Sequence, residues 1–273
     1  MKVLIVATGE LDDRKTLCAV RSLGRAGVDV TIASDSFRGR SFHSRFGKKR
    51  VRLPHPSNDA GAFIDALKRA VEEGAYDVLV PTTDRTTVLL SRHQAEFQGI
   101  ASMAVPPVES GEICKDKWRL AEFASEIGIP VPETFSVENE AALDDILKKL
   151  CFPVMLKPRK GAGGVGAHIV HCEDELRRAF RQLPRDRDDV FDFSAPLLQQ
   201  FVDGDVHEVN ALCDHGEVRV AMTQKRLLRY PNCGAGIYNE STDEPDLVDS
   251  AVRLLSALGW HGPVQVEFLR EQD

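Results

Sequence analysis

Residues 151 to 171, CFPVMLKPRKGAGGVGAHIVH, constrain this chain more than any other stretch. Val154, Leu156 and Pro158 alternate with Met155 and Lys157, the period of a strand, and Ala167, Ile169 and Val170 read as its return. The glycines between them make the bend of a hairpin. Gly161, Gly163 and Gly166 also match the dinucleotide pattern GxGxxG, but that fingerprint needs a helix opening at its third glycine, because helix N-terminal amides hold the pyrophosphate. No helix is readable there, and no Lys-Ser or Lys-Thr pair follows the last glycine to make a Walker A loop. Two readings remain. The hairpin is an ordinary glycine-rich turn, or it is a flap whose backbone, bare of side chains, lies against phosphates with Lys157 on the strand beside it.

The rest of the chain narrows the class. Its 273 residues, 42% of them apolar, suffice for two domains or one large one with real cores. No run of about 18 apolar residues occurs, and MKVLIVATGELDD runs from a short strand into acids rather than into a small-residue cleavage site. The expectation is a cytoplasmic protein without a membrane partner. A net charge of -7 argues against broad nucleic-acid binding, and the basic cluster Arg45, Lys48, Lys49 and Arg50 reads as a solvated loop. Six cysteines (18, 114, 151, 172, 213 and 233) stand far apart without CxxC spacing, so they are expected to be buried thiols rather than disulfides or zinc ligands. His168 and His171 fall on opposite faces of their strand and share no metal.

Read in order, residues 2–7, 14–26 and 28–33 form a βαβ unit whose loop, Thr8 to Asp13, has too few glycines for a dinucleotide. Ser57 or Asn58 is placed to cap a helix striped by Phe63, Ile64, Leu67 and Val71, and the strand 76–81 follows. Thr82, Thr83 and Asp84 stand where parallel sheets place ligands, or they cap the next helix; the cap is favoured. The α/β alternation makes residues 1–108 a small parallel domain ended by Pro106-Pro107. Ser110 is expected to cap the next helix, with Leu120, Phe123, Ala124 and Ile127 on its stripe and Lys117 off it. Helices around Leu143 to Leu150 and Leu176 to Leu183 flank the glycine hairpin, making 109–184 one α+β lobe ahead of the charged segment 185–192. Strands 197–202, 206–213 and 217–224 are expected to form one antiparallel sheet within 185–273. A helix then starts at Pro245, and the last strand, 263–269, puts Val264, Val266 and Phe268 on one face and Gln265 and Glu267 on the other.

An α/β domain, a helix with a DK pair, a PVxxKP strand with a glycine flap, a QxFxxG segment and a strand ending in VEF follow in this order. Together they resemble the ATP-grasp superfamily, in its carboxylate-amine (amino-acid) ligase and carbamoyl-phosphate-synthase-like branch. The resemblance implies an N-terminal Rossmann-like domain followed by a two-lobed α+β ATP-grasp domain, and ATP and Mg2+ as cofactors. It puts Lys117 and Lys157 on the nucleotide phosphates and the flap Gly161, Gly163, Gly164 and Gly166 over them. The ammonium charges suit that task in a cleft. Gln199, Gln200, Phe201 and Val202 would be the hinge on adenine. Val206 stands where the family offers an acid to the ribose, leaving Asp205 or Glu208 for it. Lys225, Arg226 and Arg229 would reach transferred phosphate or substrate carboxylate, where guanidinium geometry is apt. Glu267 would be a magnesium ligand. The family's next strand, with a Glu-x-Asn-x-Arg motif, is not reached by Asp273, so the resemblance implies an incomplete C-terminal lobe, weak nucleotide binding and little turnover.

The expected activity is an ATP-dependent ligase that phosphorylates a carboxylate and lets an amine displace the phosphate. Its partners would be those small molecules and, compatibly, a second copy of the chain. Phosphorylation of bicarbonate or carbamate is the alternative within the fold. A non-catalytic nucleotide-binding module is the rival from another class, and a dinucleotide-dependent oxidoreductase, resting on the glycine pattern alone, ranks last.

Overall fold

The computed structural model describes residues 1–8, 13–161, 164–183, 192–229 and 236–271. Most of the β1–α1 loop, Gly163 in the flap, the charged segment up to residue 191, Cys233 and Asp273 therefore lie outside the described residues. The chain divides into two compact units, Met1–Gly111 with Gly259–Pro263, and Glu112–Leu258 with Val264–Asp273.

In the first unit the strands β1 (Lys2–Val6), β2 (Asp29–Ser34), β3 (Gly47–Arg52), β4 (Val78–Pro81) and β5 (Ser102–Met103) pair in parallel in the order β3-β2-β1-β4-β5. Side chains alternate across a strand, so β1 feeds two cores. Leu4 and Val6 join Phe63, Ile64, Leu67 and Val71 of α2 (Ala60–Gly74), while Val3 and Ile5 join Val20 of α1 (Arg14–Arg25) and Phe42. The cap of α2 corrects the sequence reading. It is Asp59, whose carboxylate accepts from the Ala62 amide at 2.9 Å, rather than Ser57 or Asn58. The basic cluster is corrected too, since Lys49 and Arg50 belong to the edge strand β3 and not to a loop. There Arg50 and Arg52 lie over Phe42 and Phe37, covering the aromatic margin of the core.

Thr83 caps α3 (Asp84–Arg92) as favoured, exchanging hydrogen bonds with Thr86 in a capping box. Thr83→Ala is expected to cost about 1 kcal/mol of stability, read as a drop in the urea midpoint at unchanged slope.

Helix α4 (Val108–Lys115) runs across the division at Gly111, and α5 (Lys117–Glu126), in the second unit, is a separate helix. Ser110 is buried inside α4 and does not cap; Asp116 caps α5, its carboxylate accepting from the Trp118 and Arg119 amides. Strand β6 (Thr134–Ser136), which the sequence reading missed, helix α6 (Glu140–Leu147), strands β7 (Val154–Lys157) and β8 (His168–Val170), helix α7 (Glu173–Gln182) and strand β9 (Leu197–Gln200) build a sheet in the order β6-β9-β7-β8. The segment expected to open the C-terminal sheet is thus β9 of this one, antiparallel to both β6 and β7. Its Leu198 sits opposite Leu156 and packs with Val154, Leu143, Leu176 and Phe180, which decides its sheet. Val154 and Leu156 point into that core, so Met155 and Lys157 point to the other face.

The other sheet has the order β12-β11-β10-β13, from β10 (Gly204–Asp214), β11 (Glu217–Arg229), β12 (Gly236–Thr242) and β13 (Gly262–Glu271). Helix α8 (Pro245–Ala257) buries Ala251, Leu254 and Leu255, and Val209, Ala211 and Cys213 of β10 are buried too. The alternate residues Glu208, Asn210 and Leu212 therefore share the opposite face.

The thiols correct another expectation. Cys213 alone of the described cysteines is buried; Cys18, Cys151 and Cys172 are exposed and Cys114 is intermediate. Among the described residues no helix is long and apolar enough to cross a membrane.

Candidate functional site

The glycine hairpin, β7 and the start of α5 enclose a pocket of about 110 Å³ lined by Lys117, Lys157, Pro158, Gly161, Gly164, Val165 and Ala167. Lys157 reaches it from the face of β7 away from the core, and its Nζ donates to Gln199 Oε1 at 2.7 Å. That acceptor is fixed, because the Gln199 amide donates to Thr134 Oγ1 at 2.8 Å and Thr134 Oγ1 donates to the Pro132 carbonyl at 2.8 Å. Lys117 enters from the first turn of α5, its Nζ donating to the Gly161 carbonyl at 2.6 Å.

Among the described residues neither ammonium pairs with a carboxylate. Burial holds Lys157 down to about 8, with the Lys117 charge adding to the effect. Burial likewise lowers Lys117 to about 8, against the pull of Asp116. Two cations whose described hydrogen-bond acceptors are neutral oxygens form an arrangement that an anion relieves. No helix opens at Gly166, which turns at φ +74 into β8 with the Phe193 ring 2.7 Å from where a Cβ would stand. A side chain fits neither that angle nor that space.

Beneath the pocket lies a pair that the sequence reading did not single out. Arg159 Nε donates to both oxygens of buried Asp116 at 2.9 and 2.8 Å, and the Lys117 amide donates to the Arg159 carbonyl at 3.1 Å. The KPR run at the end of β7 and the DK pair at the start of α5 were its available signals, but nothing local pairs them.

The open face of the second sheet carries another cluster. Register places Glu208 opposite Gln224, and Arg226 follows on the same face of β11. Arg226 Nη2 donates to Glu208 Oε1 and, at 2.5 Å, to Glu267 Oε1 of β13, while Gln224 and Gln265 donate to Glu208 Oε2. Gln224, Gln265 and Asn210 belong to this network without having been foreseen in it. Lys225 lies elsewhere, pairing with Asp205 at 2.6 Å. Arg229 is exposed at the end of β11. Of the expected hinge, Gln199 and Gln200 pair within the sheet, the Gln200 amide donating to Glu133 O at 2.8 Å, while Phe201 and Val202 form the connection to β10.

Residues 114–273 match the family model described as ATP-grasp domain. This chain belongs to the ATP-grasp family. The propionyl-CoA carboxylase alpha chain of Ruegeria pomeroyi is 23% identical over 98% of this chain and 40% of its own length. A carbamoyl phosphate synthase large chain from Archaeoglobus fulgidus is 31% identical over 56% of this chain and 14% of its own. The chain thus spans about two fifths of the carboxylase subunits it matches. Among solved structures, the L-amino acid ligase from Bacillus licheniformis superposes with a TM-score of 0.72 at 19% identity, covering 100% of this chain and 64% of that one. The biotin carboxylase domain of Hydrogenobacter thermophilus 2-oxoglutarate carboxylase, in complex with MgADP and bicarbonate, gives 0.76 at 17% identity, with 99% and 61% covered. At these identities the structural likeness speaks for the ATP-grasp fold alone.

Proposed function

We propose that this chain is the nucleotide-binding part of an ATP-dependent carboxylate-amine ligase. The observation that carries the reading is the pair of ammoniums, Lys117 and Lys157, that meet at the glycine hairpin without a carboxylate ion-pair partner among the described residues. They would hold the phosphates of ATP, and the backbone of Gly161, Gly164 and Gly166, with Gly163 outside the described residues, would close over them and exclude water. Phe201 and Val202, beside Gln199 and Gln200, would bound the adenine. Arg226 would neutralise charge on the transferred phosphoryl group, with Lys225 and Arg229 as further candidates.

Magnesium fits the second cluster by its donors. Glu267 is an exposed carboxylate that already attracts a cation, and Asn210 and Gln265 add hard amide oxygens nearby. These residues would hold a dication, which when bound would supply charge neutralisation for phosphoryl transfer. Glu208 has both oxygens engaged by three side chains, which disfavours it for ribose and leaves Asp205, itself held by Lys225, as the acid for that role.

In the proposed reaction the γ-phosphoryl group passes to a carboxylate oxygen and ADP leaves. An amine then attacks the carbonyl carbon, loses a proton, and expels phosphate that carries the former carboxylate oxygen. Positioning and charge neutralisation supply most of the rate. The carboxylase and carbamoyl phosphate synthase relatives favour a second reading, transfer to bicarbonate. An 18O experiment separates the two. With ATP, Mg2+ and an amino-acid panel as carboxylate and amine, 18O is expected to move from the labelled carboxylate into phosphate. Label arriving only from bicarbonate would select the second reading. In a form that includes the family's Glu-x-Asn-x-Arg strand, ATP binding without ADP formation under either condition would overturn both in favour of a non-catalytic module.

A further inference from the structure

Arg226 is shared unequally between two carboxylates. Glu208 is 3% exposed and has three side-chain donors on its two oxygens, whereas Glu267 is 57% exposed and receives Arg226 Nη2 at 2.5 Å. The link to Glu208 is buried and braced by Gln224 and Gln265. The link to Glu267 joins that same 9% exposed guanidinium to an exposed carboxylate, so water screens it on the acid's side and it is the weaker of the two. Any cation that competes for these acids will take Glu267 and leave Glu208 alone. A dication with hard-oxygen preference outcompetes a guanidinium there, because its double charge gains more from one carboxylate than a delocalised single charge does.

We propose that Arg226 is the resident counter-ion of Glu267, holding that carboxylate until a divalent cation takes it, and that buried Glu208 keeps the displaced guanidinium on the sheet face. Metal entry and guanidinium release are then one exchange. In the metal-free protein Glu267 is thus neutralised by Arg226, and the arginine becomes available to an anion when the metal arrives. The inference rests on the reading of Glu267 as a magnesium ligand and gives Glu208 the role of a positioning residue.

Mn2+ is the probe, added to the nucleotide-free chain and followed by the spin-resonance signal of the free ion. Arg226→Met is expected to bind Mn2+ about fivefold tighter than the parent, the scale of one screened ion pair, and Glu267→Gln to bind it more weakly than either. A second measurement uses the parent itself, so it stands even where Arg226→Met fails to fold. Labelling of Arg226 by phenylglyoxal, mapped by peptide mass spectrometry, is expected to rise severalfold with Mn2+. In Glu267→Gln it should start high and ignore the metal. Labelling of the parent that Mn2+ leaves unchanged or slows would overturn the exchange. ADP binding measured alongside distinguishes the two failures: its survival without a Mn2+ response sinks the exchange alone, and its loss with the response intact sinks the nucleotide reading alone.

Discussion

Lys157→Met is expected to bind ATP about a hundredfold more weakly than the parent while unfolding at a higher temperature. The two effects have one cause. An ammonium facing a neutral amide oxygen in a buried pocket is held at about 8, well below the ordinary lysine value of 10.5. That displacement corresponds to roughly 3 kcal/mol as an upper bound, at 1.36 kcal/mol per unit. The cost is present wherever the lysine is charged in the fold. Folded, its proton is lost near pH 8; unfolded, it is kept to about 10.5, so stability rises with pH between those values and the penalty is full below 8. Methionine removes the charge, keeps much of the length and suits the Pro158 and Val165 walls. It leaves Gln199 Oε1 without its donor, which returns about 1 kcal/mol, so the net gain should be on the order of 1–2 kcal/mol. Polyphosphate restores the ordinary preference for the charged form, and losing one side of such a buried pairing costs about 2–4 kcal/mol in affinity. ATP affinity of the parent should accordingly fall as pH rises from about 8, with proton uptake on binding, because Lys117 is lowered to the same value. Calorimetric titration across that range and a melting curve check both halves. A Lys157→Met protein that binds ATP normally, or that loses binding and stability together, would make Lys157 a structural residue and remove the main support for the ligase reading.

How much of this the chain disclosed beforehand depends on how local each determinant is. The run KVLIV and the stripe of α2 fix their own elements, because burial on both sides of β1 and on one side of α2 is written in their spacing. The glycine hairpin was readable for the same reason. Strand β9 was not. LLQQFV satisfies the alternation of either sheet, and only the fit of Leu198 opposite Leu156 decides between them. Ser110 and Asp116 are both good caps by residue type; Arg159, forty-three positions from Asp116, breaks the tie. The Glu208 cluster is still less local. Its register joins residues eighteen positions apart, and Glu267 lies forty-one beyond Arg226. Those distances are set by strand pairing, which single-strand alternation does not encode.

Asp116→Ala should be the most damaging single change in the second unit, costing about 3–5 kcal/mol. Asp116 satisfies two amides at the start of α5 and is the partner of Arg159, whose backbone in turn takes the Lys117 amide and donates to Asp192 O at 3.0 Å. Removing it strands a half-buried guanidinium and uncaps the helix that carries Lys117. The neutral Asp116→Asn keeps a capping oxygen and loses the charge and one of the two acceptors of Arg159, so it should cost about half as much. It also withdraws the one nearby charge that raises Lys117 against its burial. In Asp116→Asn the decline of ATP affinity should therefore begin at lower pH than in the parent, with Lys157 still titrating near 8. Urea unfolding orders the stabilities, and ATP titrations at pH 7, 8 and 9 locate the shift. An Asp116→Ala protein within about 0.5 kcal/mol of the parent would mean that the pair beneath the pocket is solvated in solution. An Asp116→Asn affinity profile that coincides with the parent's would mean that Lys117 does not titrate with the bound phosphates.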